Sequence, residues 1–331
     1  MKLVTYQIEA ETRVGVVQGE NIVDVGAAFE LVADPDVAER LMRETYQEGK
    51  TDEIDELALA EGFEPLDMVE LLEADLGGDT LGTVDRVTRW ALTQIDTTEF
   101  PEDLVVPLAS ARLRAPIEWP GKITCIGLNY ADHAREQGIE PPASPIFFVK
   151  TANTICGPSD PIILPPNSTQ VDYEAEFAVV IGKGGKNIPE EQAMDHVAGY
   201  MILNDVSARD MQFGDKQWYR GKSCDTFAPC GPWIVTKDEV PDPNHLRISL
   251  TLNGVTMQDS NTSNLVFKVP YLISYLSQSV TWEPGDIIST GTPPGVGVFR
   301  KPPVFLKAGD TVSVTVEGLG TLTNPVVEVK Q

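Results

Sequence analysis

Val171–Ile181 reads VDYEAEFAVVI, an apolar run with acidic residues set inside it. Such a run predicts a β-strand, and side chains alternate along a strand, so we expect Glu174 and Glu176 on one face. Two ionised carboxylates on a buried face would be costly, and a divalent cation would remove that cost. The segment therefore predicts either a metal site or an edge strand whose polar face is in water.

A third acid, Asp205, lies near the end of the apolar run Gly199–Val206. Three oxygen ligands without histidine or cysteine are typical of Mg²⁺ or Mn²⁺ sites, with Ca²⁺ as a further option, and they disfavour zinc. Taken alone, Asp205 also fits a helix cap or a turn residue. We expect no organic cofactor, because the sequence lacks G-x-G-x-x-G and Lys216 stands where a phosphate-binding loop ending at Ser223 needs glycine.

Gly127–Gly138 predicts a short helix, with Asn129 as its N-cap and Gly138 just after its end. His133 and Glu136, at positions i and i+3, would share one face of that helix. Glu136 could then orient the imidazole of His133, which would act as a general base. An exposed helical ion pair is the alternative, but the chain has only three histidines, which favours a functional role.

Two further motifs carry polar groups that could meet a substrate. Lys222 follows Gly221 in an aromatic setting and could stabilise negative charge on an oxygen near the metal, although it also fits a surface lysine. Ser289–Val298 predicts a rigid loop rich in glycine and proline. Thr292 in this loop offers a hydroxyl and an N–H to a carboxylate, although the loop also fits an ordinary tight turn.

The chain carries 50 acidic and 25 basic residues, a net charge of −25. A surface of that sign repels phosphates, so we exclude nucleic acid as a partner. No apolar run approaches the ~18 residues that a membrane helix needs, so we expect no membrane partner. The first thirty residues carry acids and lack the features of a targeting segment, which predicts a cytoplasmic protein with reduced cysteines.

The acidity is concentrated at the amino-terminal end: residues 1–115 carry a net charge of −17 and residues 116–331 a net charge of −8. This division predicts a small acidic α/β domain over 1–115, with short strands in Lys2–Asp24 and helices at Val37–Met42 and Met68–Leu72. Residues 116–331 are predicted as a second domain, mainly strand. Its helices are expected at Tyr130–Gln137, Pro189–Met201 and Pro270–Ser279. Its strands are expected at Ile123–Ile126, Ile146–Val149, Phe177–Ile181, Ile248–Leu252 and Thr311–Val316.

Taken together and in this order, the motifs resemble the fumarylacetoacetate hydrolase family, in particular the branch named only as fumarylacetoacetate hydrolase domain-containing. The resemblance runs from about Ile123 to Val329 and includes Asn204–Asp210, Asp225–Phe227 and Gly297–Lys307. It implies an α+β fold, mainly β, in which residues 116–331 form a mixed β-roll or sandwich. It also implies that the amino-terminal domain is appended to this catalytic domain, and that the protein is a homodimer.

The resemblance implies a role for each candidate residue. The metal ligands would be Glu174, Glu176 and Asp205, the acid–base pair would be His133 and Glu136, and Lys222 would stabilise an oxyanion. The residues assigned to substrate contacts are Tyr130, Arg209, Gln212 and Thr292.

The implied substrates are small 2-oxo acids or 1,3-dicarbonyls that react through a metal-bound enolate. We expect hydrolysis of a C–C bond in an acylpyruvate or in a compound like fumarylacetoacetate. The same site could instead act as an oxaloacetate keto–enol tautomerase, an activity associated with members of the same branch. A hydroxymuconate-type isomerase and an oxaloacetate decarboxylase are further alternatives. The alternative from another class is a catalytically inactive family member that only binds metal.

Overall fold

The computed structural model describes residues 1–33, 63, 65–74, 79–93 and 103–329. The protein divides into two compact units, Met1–Leu113 and Arg114–Gln331. Strands dominate and helices are fewer, which confirms the prediction of a mainly β protein. Within the described ranges, no helix is both long and apolar enough to span a membrane.

The first unit begins with an antiparallel meander, as the pattern of Lys2–Asp24 predicts. Its strands are β1 (Lys2–Ile8), β2 (Glu11–Gln18), β3 (Asn21–Asp24), β4 (Val105–Pro107) and β5 (Arg112–Leu113). β4 pairs with β3, and β5 pairs with β1. Among its described residues the helices are α1 (Val25–Ala33), α2 (Met68–Glu73) and α3 (Thr80–Thr93). The prediction at Met68–Leu72 is confirmed by α2, whereas Val37–Met42 lies outside the described residues.

The second unit contains most of the strands. They are β6 (Ile123–Gly127), β7 (Ile146–Lys150), β8 (Ile155–Cys156), β9 (Ile162–Leu164), β10 (Val171–Asp172), β11 (Ala175–Ile181), β12 (Val197–Asn204), β13 (Ser207–Ala208), β14 (Ala228–Thr236), β15 (Arg247–Leu252), β16 (Val255–Asn261), β17 (Ile287–Ser289), β18 (Thr311–Val316) and β19 (Gly320–Glu328). Its α-helices are α4 (Ala131–Glu136), α5 (Arg209–Gly214), α6 (Tyr219–Lys222) and α7 (Val269–Ser277). Its 3-10 helices are Ala152–Thr154, Glu190–His196, Lys237–Glu239, Thr262–Asn264 and Gly297–Phe299.

The main sheet of this unit has the order β14-β12-β11-β17-β6-β7. β17 and β6 run parallel, and the other neighbours are antiparallel. A second sheet has the order β16-β15-β18-β19-β9, and β10 pairs with β13 in a ladder of its own. The core includes Phe177 and Tyr200 from the main sheet and Leu250 and Val314 from the second sheet. Every residue of β11 is buried, as a strand at the centre of a covered sheet requires.

The prediction of one continuous strand over Val171–Ile181 is wrong. The segment forms β10 and β11, with a break at Tyr173 and Glu174. The break leaves no polar backbone group of Glu174 unpaired, because its N–H donates to the side chain of Asn204 and its C=O accepts from the N–H of Asp205. The chain can therefore leave the main sheet here, and β10 pairs with β13 instead.

The prediction of a helix over Pro189–Met201 is wrong beyond His196. Glu190–His196 forms a 3-10 helix, and the next eight residues are β12. All residues of β12 are buried, and the strand lies between β11 and β14. Burial of this apolar run between two strands overrides the helical spacing of the residues before it. The other predicted elements of this unit are confirmed to within two residues at either end.

The start of α4 also differs from the prediction. Its N-cap position is Tyr130, which makes no side-chain capping bond, so the assignment of Asn129 as N-cap is wrong. The buried amide of Asn129 instead donates to the backbone carbonyls of Phe267 and Thr290. Gly138 follows the helix with a φ of +68°, as predicted for a residue just after a helix end.

The four cysteines form no disulfide, as expected for reduced thiols. Cys125, Cys156 and Cys230 are buried, Cys224 is partly exposed, and all of them are free.

Candidate metal and active site

The predicted metal ligands lie together in the second unit. One carboxylate oxygen from each of Glu174, Glu176 and Asp205 lies within 4.8 Å of the others. Glu176 is on β11 and Asp205 follows β12, and the pairing of these strands puts Ala175 opposite Asn204. All three acidic side chains are buried. The alternative of an edge strand with its polar face in water is therefore wrong.

Two buried lysines donate to this acidic cluster. Nζ of Lys222 lies 2.7 Å from Oε2 of Glu174 and 2.6 Å from Oδ2 of Asp205. Nζ of Lys150, at the end of β7, lies 2.7 Å from Oδ1 of Asp205. Lys222 is only 2% exposed, so it is not a surface lysine. Its ammonium lies among the oxygens that a metal would use, which shows that they accept a cation.

Arg209 connects the cluster to a fourth buried acid. Its Nη2 lies 2.7 Å from Oε1 of Glu174, and its Nε donates to Oδ2 of Asp172 at 2.8 Å. Its Nη1 donates to Oε1 of Gln212 at 2.9 Å. Burial raises the pKa of a carboxyl group, but the charges of Lys222 and Arg209 hold the pKa of Glu174 well below its usual range.

Glu176 is the candidate ligand that most needs additional positive charge. Burial, together with the charges of Asp205 and Glu174, raises the pKa of Glu176 well above its usual range. The hydroxyl of Ser289 and the N–H of Gly291 donate to its Oε2, at 2.5 and 2.9 Å. A hard dication would supply positive charge to this buried set of oxygens. The donor set therefore fits Mg²⁺ or Mn²⁺.

The candidate acid–base pair lies on α4. Nδ1 of His133 lies 3.0 Å from Oε2 of Glu136, and Nε2 of His133 lies 2.8 Å from the amide nitrogen of Gln137. Oε1 of Glu136 accepts the N–H of Gly295 at 3.0 Å, so the loop after β17 orients the carboxylate. His133 is 5% exposed, which excludes the alternative of an exposed helical ion pair.

His133 and the acidic cluster line one cavity of about 110 Å³ that opens to solvent. Its polar lining residues are His133, Gln137, Glu174, Glu176, Asp205, Arg209, Gln212, Lys222 and Thr292. Its larger apolar lining residues are Ile126, Leu128, Phe148, Phe213, Trp218 and Phe299. Tyr130, predicted as a substrate contact, is fully buried and is not one of the described residues that line the cavity. A base and a cluster of oxygen ligands on one cavity suit proton transfer at a carbon next to a carbonyl.

The hydroxyl of Thr292 belongs to a closed ring of hydrogen bonds. It donates to the carbonyl of Ala175 at 3.0 Å and accepts from Nε2 of Gln258 at 2.8 Å. Oε1 of Gln258 accepts the N–H of Ala175 at 2.9 Å. Because Ala175 lies between Glu174 and Glu176, this ring holds the backbone that carries both carboxylates.

The sequence reasoning missed Lys150, Gln258 and Ser289. Lys150 ends the strand IFFVK, and a charged residue that closes an apolar strand is a signal that could have found it. Gln258 and Ser289 carry no such signal, since their partners lie 83 and 113 positions away in the chain.

Residues 122–327 match the family described as fumarylacetoacetate (FAA) hydrolase, C-terminal. The chain belongs to the fumarylacetoacetate hydrolase family. It is therefore an enzyme of this family, and the resemblance that its motifs indicated is confirmed.

Three similar proteins show the range of the family. Oxaloacetate tautomerase FAHD2A, mitochondrial, of Bos taurus is 53% identical over 265 residues, which cover 80% of each chain. A fumarylacetoacetate hydrolase structure from Exiguobacterium antarcticum has a TM-score of 0.73 at 32% identity over 99% of each chain. The structure of maleylpyruvate hydrolase from Sphingobium sp. SYK-6 in complex with manganese(II) ion and pyruvate has a TM-score of 0.71 at 29% identity over the full length of both chains.

The prediction of a cytoplasmic protein is wrong, because relatives that are 53% identical are named as mitochondrial. The prediction rested on the composition of the first thirty residues. These residues form β1, β2, β3 and part of α1, and the strands and helices of a folded unit do not encode the compartment in which it works.

Proposed function

We propose that this family member is a divalent-metal-dependent oxaloacetate keto–enol tautomerase. The observation that carries the proposal is that His133 and the acidic cluster line one cavity, where a base and a chelated 2-oxo acid would meet. The activity for which the bovine relative is named supports this choice among the family's reactions. Hydrolysis, the reaction expected first, has weaker support.

Glu174, Glu176 and Asp205 would hold Mg²⁺ or Mn²⁺, which would polarise the 2-oxo carbonyl and disperse the charge that develops on its oxygen. Nε2 of His133 takes a proton from C3 of oxaloacetate, and the electron pair of that C–H bond becomes the C2–C3 double bond. The imidazolium gives this proton to the carbonyl oxygen, which completes the enol and returns His133 to its neutral form. The carboxylate of Glu136, on Nδ1, stabilises the imidazolium until the proton leaves.

Lys222 and Arg209 supply the positive charge that an anionic substrate needs. The ammonium of Lys222 already contacts two carboxylates of the cluster, so it lies within reach of a substrate oxygen bound there. Arg209 and Gln212 line the same cavity and are bonded to each other. We assign them to the substrate carboxylates.

Hydrolysis of an acylpyruvate-like substrate is the second candidate. The observation that favours it is the likeness to maleylpyruvate hydrolase, whose structure contains manganese and pyruvate. In that reaction His133 would activate a water molecule instead of removing a proton from carbon.

The test is proton NMR of oxaloacetate in D₂O with Mg²⁺, which follows keto–enol interconversion and exchange of the C3 protons. We expect the wild-type protein to accelerate both processes. His133→Ala is expected to lose about 10²–10⁴-fold of that rate, the range for removal of a general base.

His245→Ala is the matched control. His245 is 71% exposed and pairs with Asp242 at i, i+3 spacing, as His133 pairs with Glu136, but at the surface. Equal rates for the wild-type protein and His133→Ala would contradict the proposal. Loss of the C4 carboxylate would indicate a decarboxylase, and metal binding without any exchange would indicate an inactive family member.

We also propose that residues 1–115 form an appended domain and residues 116–331 the catalytic domain. The division between Leu113 and Arg114 supports this assignment. The homodimer that the family resemblance implies stays a prediction. The exposed apolar side chains of Phe147 and Val149 on strand β7, each 49% exposed, are consistent with a contact surface of that kind.

A further inference from the structure

The side chain of Gln137 contacts the ring nitrogen of His133 that the proposed reaction uses. Its side-chain nitrogen lies 2.8 Å from Nε2 of His133, and it lines the cavity beside the acidic cluster. The backbone N–H of Gln137 donates to the carbonyl of His133 at the end of α4. This bond fixes the backbone of Gln137, from which its side chain extends to the imidazole.

The two partners of the imidazole suit one tautomer of the neutral ring. An amide NH₂ group can only donate, so its contact with Nε2 is a hydrogen bond when Nε2 carries no proton. The ring proton is then on Nδ1, which lies 3.0 Å from the carboxylate of Glu136. In this tautomer His133 can receive a proton at Nε2, and Gln137 uses the lone pair that would receive it.

A water molecule activated for hydrolysis would need that same lone pair. It would donate a proton to Nε2 while its oxygen attacks the distal carbonyl carbon, and the C–C bond would break with its electron pair on C3 of the 2-oxo fragment. Tautomerisation needs no water, because the proton that reaches Nε2 comes from C3 of the substrate itself.

We propose that Gln137 occupies the place of the hydrolytic water and thereby restricts this site to proton transfer. The inference rests on the proposed tautomerase function and adds the residue that selects it. A bound substrate can displace the amide because its contacts with the metal cluster and Arg209 offset the loss of one hydrogen bond. A water molecule that replaces the amide at Nε2 only exchanges one hydrogen bond for another.

The surroundings of Nε2 also disfavour water. The ring of Phe299 lies 6.0 Å from the ring of His133, and Ile126 and Leu128 line the same cavity. These apolar groups cannot form hydrogen bonds with a water molecule, whereas a stably held water needs two to four polar partners.

The experiment compares Gln137→Ala with Gln137→Met in the full-length protein with Mg²⁺. Alanine leaves room for a water molecule at Nε2, whereas methionine fills the space without a hydrogen-bond donor. We expect Gln137→Ala to cleave acetylpyruvate to acetate and pyruvate at least 10-fold faster than the wild-type protein. We expect no such gain in Gln137→Met. Cleavage is followed by proton NMR, and the ratio of cleavage to C3 proton exchange is measured in the same samples.

Gln192→Ala, an exposed glutamine outside the cavity, is the control. Mn²⁺ titration of each variant shows that the metal cluster is intact. Rapid acetylpyruvate cleavage by the wild-type protein would overturn the inference. An unchanged cleavage rate in a Gln137→Ala protein that binds Mn²⁺ would also overturn it, as would an equal gain in cleavage rate in Gln137→Ala and Gln137→Met. Failure of the proposed function is a separate result, namely no acceleration of oxaloacetate interconversion by the wild-type protein.

Discussion

Lys222 and a metal ion would use the same oxygens. The ammonium contacts Oε2 of Glu174 and Oδ2 of Asp205, two of the three carboxylates in the cluster. A dication bound there must share these oxygens with Lys222 or displace it toward the cavity. The residue that balances the charge of the cluster is thus also a competitor for its oxygens.

We predict that Lys222→Met binds Mn²⁺ at least as tightly as the wild-type protein, because the variant removes a competitor for the carboxylate oxygens. The same variant is expected to lose about 10²-fold of the catalytic rate, because it also removes a stabiliser of negative charge on the substrate. Glu176→Gln, which removes a ligand, is expected to weaken Mn²⁺ binding more than 10-fold. Isothermal titration gives the affinities, and Lys237→Met at an exposed site is the control. Weaker Mn²⁺ binding in a folded Lys222→Met protein would contradict the competition.

The buried acids of the cluster were predictable from the sequence, whereas Lys150, the buried cation at the end of β7 that contacts Asp205, was not predicted. An acid inside an apolar run, such as Glu176, is visible because the run itself predicts burial. Lys150 also ends an apolar run, but its partner Asp205 is 55 positions away, and only the folded sheet brings them together. A sequence pattern predicts which residues are buried, but it does not as readily predict which residues they contact.

Glu174, in the break before β11, and Glu176, on β11, depend on a neighbouring sheet for their positions. Gln258 of β16 accepts the N–H of Ala175, and Thr292 donates to the carbonyl of the same residue. The break between β10 and β11 therefore has a defined geometry, even though the strand pairing is interrupted there. The predicted strand was wrong as an element, yet Glu174 and Glu176 still converge, because this ring of hydrogen bonds replaces the regular ladder.

We predict that Gln258→Leu weakens Mn²⁺ binding by about 10-fold, which equals ~1.4 kcal/mol. The buried N–H of Ala175 would lose its partner, and the expected cost in unfolding free energy is about 1–3 kcal/mol. Titration with Mn²⁺ and urea unfolding measure the two effects, with Gln192→Leu as the exposed control. Unchanged Mn²⁺ affinity in a destabilised variant would mean that the ring supports the fold and not the cluster.

Net charge is a property of the whole molecule. The chain carries a net charge of −25, and residues 1–115 contribute −17 of it. Self-repulsion of that size opposes compaction, and salt screens it, since the Debye length falls from about 30 Å at 0.01 M to about 10 Å at 0.1 M. The sequence alone predicts this behaviour, because it depends on composition and not on which side chains meet.

We predict that raising NaCl from 10 mM to 0.5 M stabilises the protein by about 1 kcal/mol, a rise in Tm of roughly 2–4 °C. Screening depends on ionic strength, so KCl at the same concentration is expected to give the same rise. Differential scanning calorimetry measures it. A constant or falling Tm over this range would show that charge repulsion is not a significant cost.

The bond between Glu136 and Gly295 joins positions 159 residues apart in the chain. A hybrid gene can be made from two relatives with one crossover between these positions. It would then encode the His133–Glu136 pair of one parent and the Gly295 of the other. Recombination libraries for this protein should therefore inherit residues 131–137 and 291–297 from the same parent.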